Sequence, residues 1–149
     1  MAIDYELYSE MSLWIKEKYP NRVYFEPPSY KSDKGEKFQN IGIKLADFGQ
    51  STLALVCEYD KGEKGSERGV YVGVKCIKCP SERVLKDEVK KLFFLGNGYC
   101  SKPQKGANGK CFSWLYYEKI SDIDAGKKIY KSLKNKWDSY LMDKIFEKQ

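Results

Sequence analysis

Histidine is absent from all 149 residues of this chain. That removes the side chain that titrates nearest neutrality and the commonest metal ligand. Ser-His-Asp and Cys-His catalysis, histidine-held zinc and histidine phosphotransfer are therefore excluded. Carboxylate-metal, cysteine-only and Lys/Tyr chemistries stay open. Long apolar runs are missing too: none approaches the ~18–20 residues a membrane span needs. The first six residues are acidic and polar, so no signal peptide is expected. Cysteines are few and odd in number, five, and their spacing is not that of a secreted disulfide scaffold. The expectation is buried, inert thiols in a reducing, cytoplasmic compartment. No linker, internal repeat or low-complexity tract divides the chain, so residues 1–149 are expected to form one domain.

Hydrophobic periodicity is well supplied. Leu7, Met11 and Trp14 recur at i, i+4, i+7, with Tyr8 and Ile15 widening the stripe, which predicts a helix from about Asp4 to Tyr19. Val23 to Glu26 reads as a short strand, followed by a polar loop over residues 29–40. Ile41, Ile43 and Leu45 alternate on one face of the next strand. Thr52 to Tyr59 is nearly continuous apolar sequence and reads as a central strand. Val70, Val72, Val74 and Cys76 alternate on its hairpin partner. Pro80 opens a second helix, with Val84, Leu85, Val89 and Leu92 inward and Gly96 closing it.

Residues 96–111 carry loop signals throughout. Phe112, Trp114 and Tyr116 mark one face of a last strand. Ser121 and Asp124 have capping-box spacing before a long helix, whose inward stripe is Ile123, Ile129, Tyr130, Leu133, Trp137, Leu141 and Ile145. The expected fold is α+β. A mostly antiparallel sheet of four to five strands packs on two or three helices, in the order α-β-β-β-β-α-β-α.

The charge is unevenly spread. Between Gly96 and Trp137 nine lysines face three acids, while the rest of the chain balances 18 basic against 18 acidic residues. The whole net charge of +6 therefore sits in one stretch. Clustered lysine raises the local potential and attracts polyanions. Lys102, Lys105 and Lys110 lie on the Gly-rich loop. Lys127, Lys131 and Lys134 follow i, i+4, i+7 and are expected to share one exposed helical stripe. Tyr99, Tyr116 or Tyr117 would add base stacking if exposed. Lysine without arginine favours phosphate contact over base reading. The bland alternative is a solvated lysine-rich surface.

Three features then recur in order: a hydrophobic hairpin ending Gly69-Val70-Tyr71-Val72-Gly73-Val74-Lys75 before a helix, the strand Ser113-Trp114-Leu115-Tyr116-Tyr117-Glu118, and a long C-terminal helix. From about Gly42 onward the chain resembles the non-catalytic C-terminal domain that follows PD-(D/E)XK-type nuclease domains in bacterial and phage proteins of defence or mobile-element type. The resemblance implies an accessory domain acting without its nuclease. It carries no catalytic residue onto this chain.

The remaining chemistry is thin. Cys76, Cys79, Cys100 and Cys111 offer four thiolates, enough for a structural zinc, but the second pair is spaced too widely for a knuckle. Cys76-Ile77-Lys78-Cys79 also has redox CxxC spacing, with Cys79 before Pro80 at the expected helix start, although Cys76 continues the apolar strand face. A PD-(D/E)XK metal site needs an acid on one strand and acid-x-Lys on the next. In Gly73-Val74-Lys75 the acid position is glycine, and Glu58-Tyr59-Asp60 has no lysine in register. A carboxylate-metal enzyme would need Glu58, Asp60 and Asp47 to converge.

The sequence thus points to a non-enzymatic binding module without cofactor or metal. Its partner is nucleic acid, or a nuclease bound to it, met through residues 102–136. The alternative is an inhibitor- or antitoxin-like module that meets a protein through exposed tyrosines and the hairpin tip at residues 60–69.

Overall fold

The computed structural model describes residues 2–20, 30–31, 37–48, 51–60, 68–77, 89, 92–93, 104–105 and 111–147. Its elements are α1 (Ala2–Lys18), β1 (Tyr30–Lys31), β2 (Lys37–Phe48), β3 (Ser51–Asp60), β4 (Gly69–Ile77), β5 (Gln104–Lys105), β6 (Cys111–Ile120) and α2 (Ile123–Glu147). Four long antiparallel strands and two short ones form a sheet in the order β1-β2-β3-β4-β6-β5. This is the expected α+β arrangement. Val89, Leu92 and Phe93 are helical, within the span expected for a helix after Pro80. The strand expected at Val23–Glu26 and the rest of that helix lie outside the described residues.

The central hairpin follows from its apolar runs. β3 and β4 pair without a break from Thr52↔Ile77 to Asp60↔Gly69. Leu53, Leu55, Cys57, Val70, Val72 and Val74 are fully buried on one face of it, each aliphatic side chain contributing about 1.5–3 kcal/mol. Both helices cover that face. α1 supplies Leu7, Tyr8, Met11 and Ile15; α2 supplies Tyr130, Leu133 and Trp137. The Tyr130 hydroxyl donates to the Leu55 carbonyl at 3.0 Å, tying α2 to β3 inside the core. Phe93 stacks on Trp137 with centroids 6.3 Å apart.

Strict alternation fails at two bulges. In β2 the register jumps between Lys44 and Ala46, so Leu45 is the extra residue and Ala46 pairs with Leu53. Leu45 is consequently only half-buried. In β6 the jump falls between Tyr116, opposite Val74, and Trp114, opposite Lys75. Trp114 and Tyr116 therefore face opposite sides of the sheet, against the expectation that they share one. Gly73 accommodates the close approach of β6 here, since a Cβ would lie 2.0 Å from the Tyr116 carbonyl oxygen.

Other boundaries also shift. β2 begins at Lys37, not Ile41, because Gln39 and Asn40 pair with Tyr59 and Glu58 of β3. The loop expected over residues 96–111 contains β5, which pairs Gln104 with Phe112 and Lys105 with Cys111. The α2 cap is Asp122, not Ser121: its Oδ1 accepts from the Ala125 backbone N–H at 2.8 Å. Leu141, expected inward, is 41% exposed.

Candidate functional site

The long C-terminal helix presents its lysines to a shallow groove of about 760 Å³. Lys127, Lys128, Lys131 and Lys136 line it, with Asp124 near one end and Asp143 near the other. Leu92, Ser132, Asn135 and Tyr140 add apolar, polar and aromatic surface. Nine residues separate Lys127 from Lys136, a rise of about 14 Å along the helix. That is the run of about four stacked nucleotides at ~3.4 Å per phosphate. The Lys127 ammonium lies 5.9 Å from the Trp14 ring centroid, which anchors the groove's first lysine against α1.

The six lysines expected to form the interface divide. Lys127 and Lys131 line the groove together. Lys134 does not join them: it is 7% exposed, and its ammonium contacts Asp138 at 2.5 Å. On a helix Lys134 lies only about 40° from Tyr130, so its stem follows the buried stripe while the ammonium emerges to an acid. The expectation of an exposed stripe through Lys134 is thus corrected. Lys105 sits on β5, while Lys102 and Lys110 lie outside the described residues. Lys128 and Lys136 complete the groove in their stead; both were visible in the lysine cluster, but the heptad-like spacing drew attention to Lys134.

A second polar cluster lies on the opposite face of the sheet. Lys75, 1% exposed, contacts Glu58 Oε1 at 2.5 Å and Asn40 Oδ1 at 3.5 Å. Its ammonium lies 4.4 Å from the Trp114 ring centroid. Burial pushes the Lys75 pKa down, opposed by the charges of Glu58 and Asp60. Lys75 pairs in register with Ala54, yet Glu58 lies opposite Tyr71. No lysine is in register with Glu58, as expected, yet the Lys75 side chain reaches it along the same face of the sheet. The signal was present: positions 58, 71 and 75 have one parity once Asp60 is paired with Gly69.

The carboxylates do not make a metal centre with Asp47. Asp47 is exposed near the end of β2, opposite Thr52 of β3, and is bonded to Lys44 and Thr52 at 2.9 Å each. Thr52 and Glu58 are six residues apart on one strand, about 20 Å. The bonds from Lys44 and Thr52 hold the Asp47 pKa below its ordinary value. Among the described residues no three cysteine or acidic side chains gather to hold a metal.

Cys76 is buried and disulfide-bonded. Its sulfur is therefore not available to the four-thiolate zinc set, and its burial is as the strand pattern leads one to expect. Cys57 is free, buried, and its thiol is pushed well up by burial. Among the described residues no helix is long and apolar enough to cross a membrane.

No protein-family model, curated protein or solved structure matches this chain.

Proposed function

We propose that this protein is a non-enzymatic binding module that holds a nucleic-acid phosphate backbone along α2. The supporting observation is the convergence of Lys127, Lys128, Lys131 and Lys136 on one groove, two positive charges in excess of Asp124 and Asp143. Lysine ammoniums contact phosphate as point charges and carry little base discrimination of their own. If all four engage a single strand, log K falls with log salt at a slope of about −3. In the accessory version of this reading, the groove holds a strand while a separate nuclease cuts it.

Fluorescence anisotropy with short oligonucleotides over a salt series tests the reading. The triple variant Lys127→Gln/Lys131→Gln/Lys136→Gln is expected to lower the slope to about −1. Lys134→Gln, outside the groove, is expected to leave the slope alone. Absence of binding at low salt would sink the proposal.

A protein partner is the second reading. Leu13 at 63% exposure and Met142 at 52% give apolar surface on both helices. One-to-one binding to a protein that resists high salt is its signature.

A further inference from the structure

Beside the lysine groove lies a smaller cavity of about 160 Å³, between β6 and α2. Lys128 and Ser132 line both, so the two spaces adjoin across one helical turn. Tyr116 and Glu118 form the β6 wall; Ile129 and Leu133 complete the α2 wall. The β6 bulge puts Tyr116 on this face, opposite Val74, and Glu118 follows opposite Val72.

The chemistry of this cavity differs from that of the groove. The Tyr116 hydroxyl donates a short hydrogen bond to Glu118 Oε2. Burial and that bond push the Tyr116 pKa well up, so the hydroxyl remains a donor. Glu118 Oε1 accepts no hydrogen bond among the described residues. A carboxylate has about four lone-pair sites, so most of its accepting capacity remains. The cavity therefore brings together an acceptor held by Tyr116, Glu118, and a cationic donor, Lys128, in a lining that includes Ile129 and Leu133. Its volume suits one planar heterocycle and is too small for a whole nucleotide.

We infer that this cavity receives a single guanine base from a strand whose phosphates follow the lysine groove. Guanine presents two adjacent donors, N1–H and N2–H, for Glu118, and the neighbouring O6 acceptor for Lys128. Adenine, cytosine and thymine each offer only one donor position on that edge. A base can enter only from an unpaired strand, since a duplex keeps this edge occupied. The inference deepens the phosphate-binding reading and rests on it.

Anisotropy titration of three single-stranded oligothymidylates tests it, each with one central dG, dA or dC. The dG strand is expected to bind about tenfold tighter than the other two, the discrimination of one good two-bond base contact. Glu118→Gln, which turns one acceptor into a donor, is expected to erase that preference. Should that variant fail to fold, competition on the unaltered protein serves instead: guanosine monophosphate displaces the dG strand where adenosine monophosphate does not. Equal, salt-sensitive binding of all three strands overturns the guanine pocket and leaves the phosphate groove standing. Preference for dA or dC overturns the pocket's assignment equally. No binding of any strand at low salt overturns the groove reading itself.

Discussion

Removing one partner of the Lys75–Glu58 pair should damage this protein far more than removing both. At the 2.5 Å separation of Nζ and Oε1, the attraction is about 6–7 kcal/mol at an effective dielectric of ~20. Desolvation costs several kcal/mol per ion, so the pair nearly cancels. Glu58→Gln or Lys75→Met alone takes the nearest opposite charge from a buried ion and is expected to cost about 3–5 kcal/mol. That is a large share of a typical ~5–15 kcal/mol. The double variant Lys75→Met/Glu58→Leu should sit within about 1–2 kcal/mol of the parent, allowing ~1 kcal/mol for the bond Asn40 loses. Urea unfolding followed by tryptophan emission reads this, since Trp114 covers the ammonium. Midpoints are compared at constant m. Single variants that cost under about 1 kcal/mol, or a double variant no better than the singles, would refute the reasoning.

The same lysine gives a pH signature. Its folded pKa lies below the ordinary lysine value of 10.5, so the unfolded chain binds more protons between the two values, and stability should rise with pH across that window; the double variant should lose this slope in urea titrations on the alkaline side. Gly73→Ala drives a Cβ into the backbone of Tyr116 and Tyr117 and is expected to cost about 3 kcal/mol or more in thermal unfolding; a cost under about 1 kcal/mol would show that β6 can retreat. Asp122→Ala removes the α2 cap at about 1 kcal/mol, checked by the same melts. Thr52→Val should raise the Asp47 carboxylate back toward its ordinary range in an NMR titration, because one of its two bonds is gone.

The hairpin, α1 and the length of α2 were legible because each depends on periodicity within a single element. Leu7, Met11 and Ile15 fall where the i, i+4 pattern puts them, and all are buried. What the pattern missed depends on other strands. Nothing in Lys37-Phe-Gln-Asn announces a strand; it becomes one because Asn40 and Gln39 meet the polar end of β3. Leu45 and Leu115 are ordinary strand residues whose bulges arise from register. The lysine cluster was legible as charge, but its membership was not: which lysine turns inward depends on a few tens of degrees of helix rotation set by Tyr130 and Trp137. Cys76 reads as a core residue and is one.

The bulge at Leu115 makes β6 a hinge between two chemistries. Before it, Trp114 belongs to the layer that caps the Lys75 ammonium; after it, Tyr116 and Glu118 belong to the layer beneath α2. One surplus residue therefore sets the phase of both. Were Leu115 instead paired in the regular ladder, Tyr116 and Glu118 would share the Trp114 side of the sheet and the cavity would lose its acid. The two faces are separate in space but share one frame, which the bulge sets.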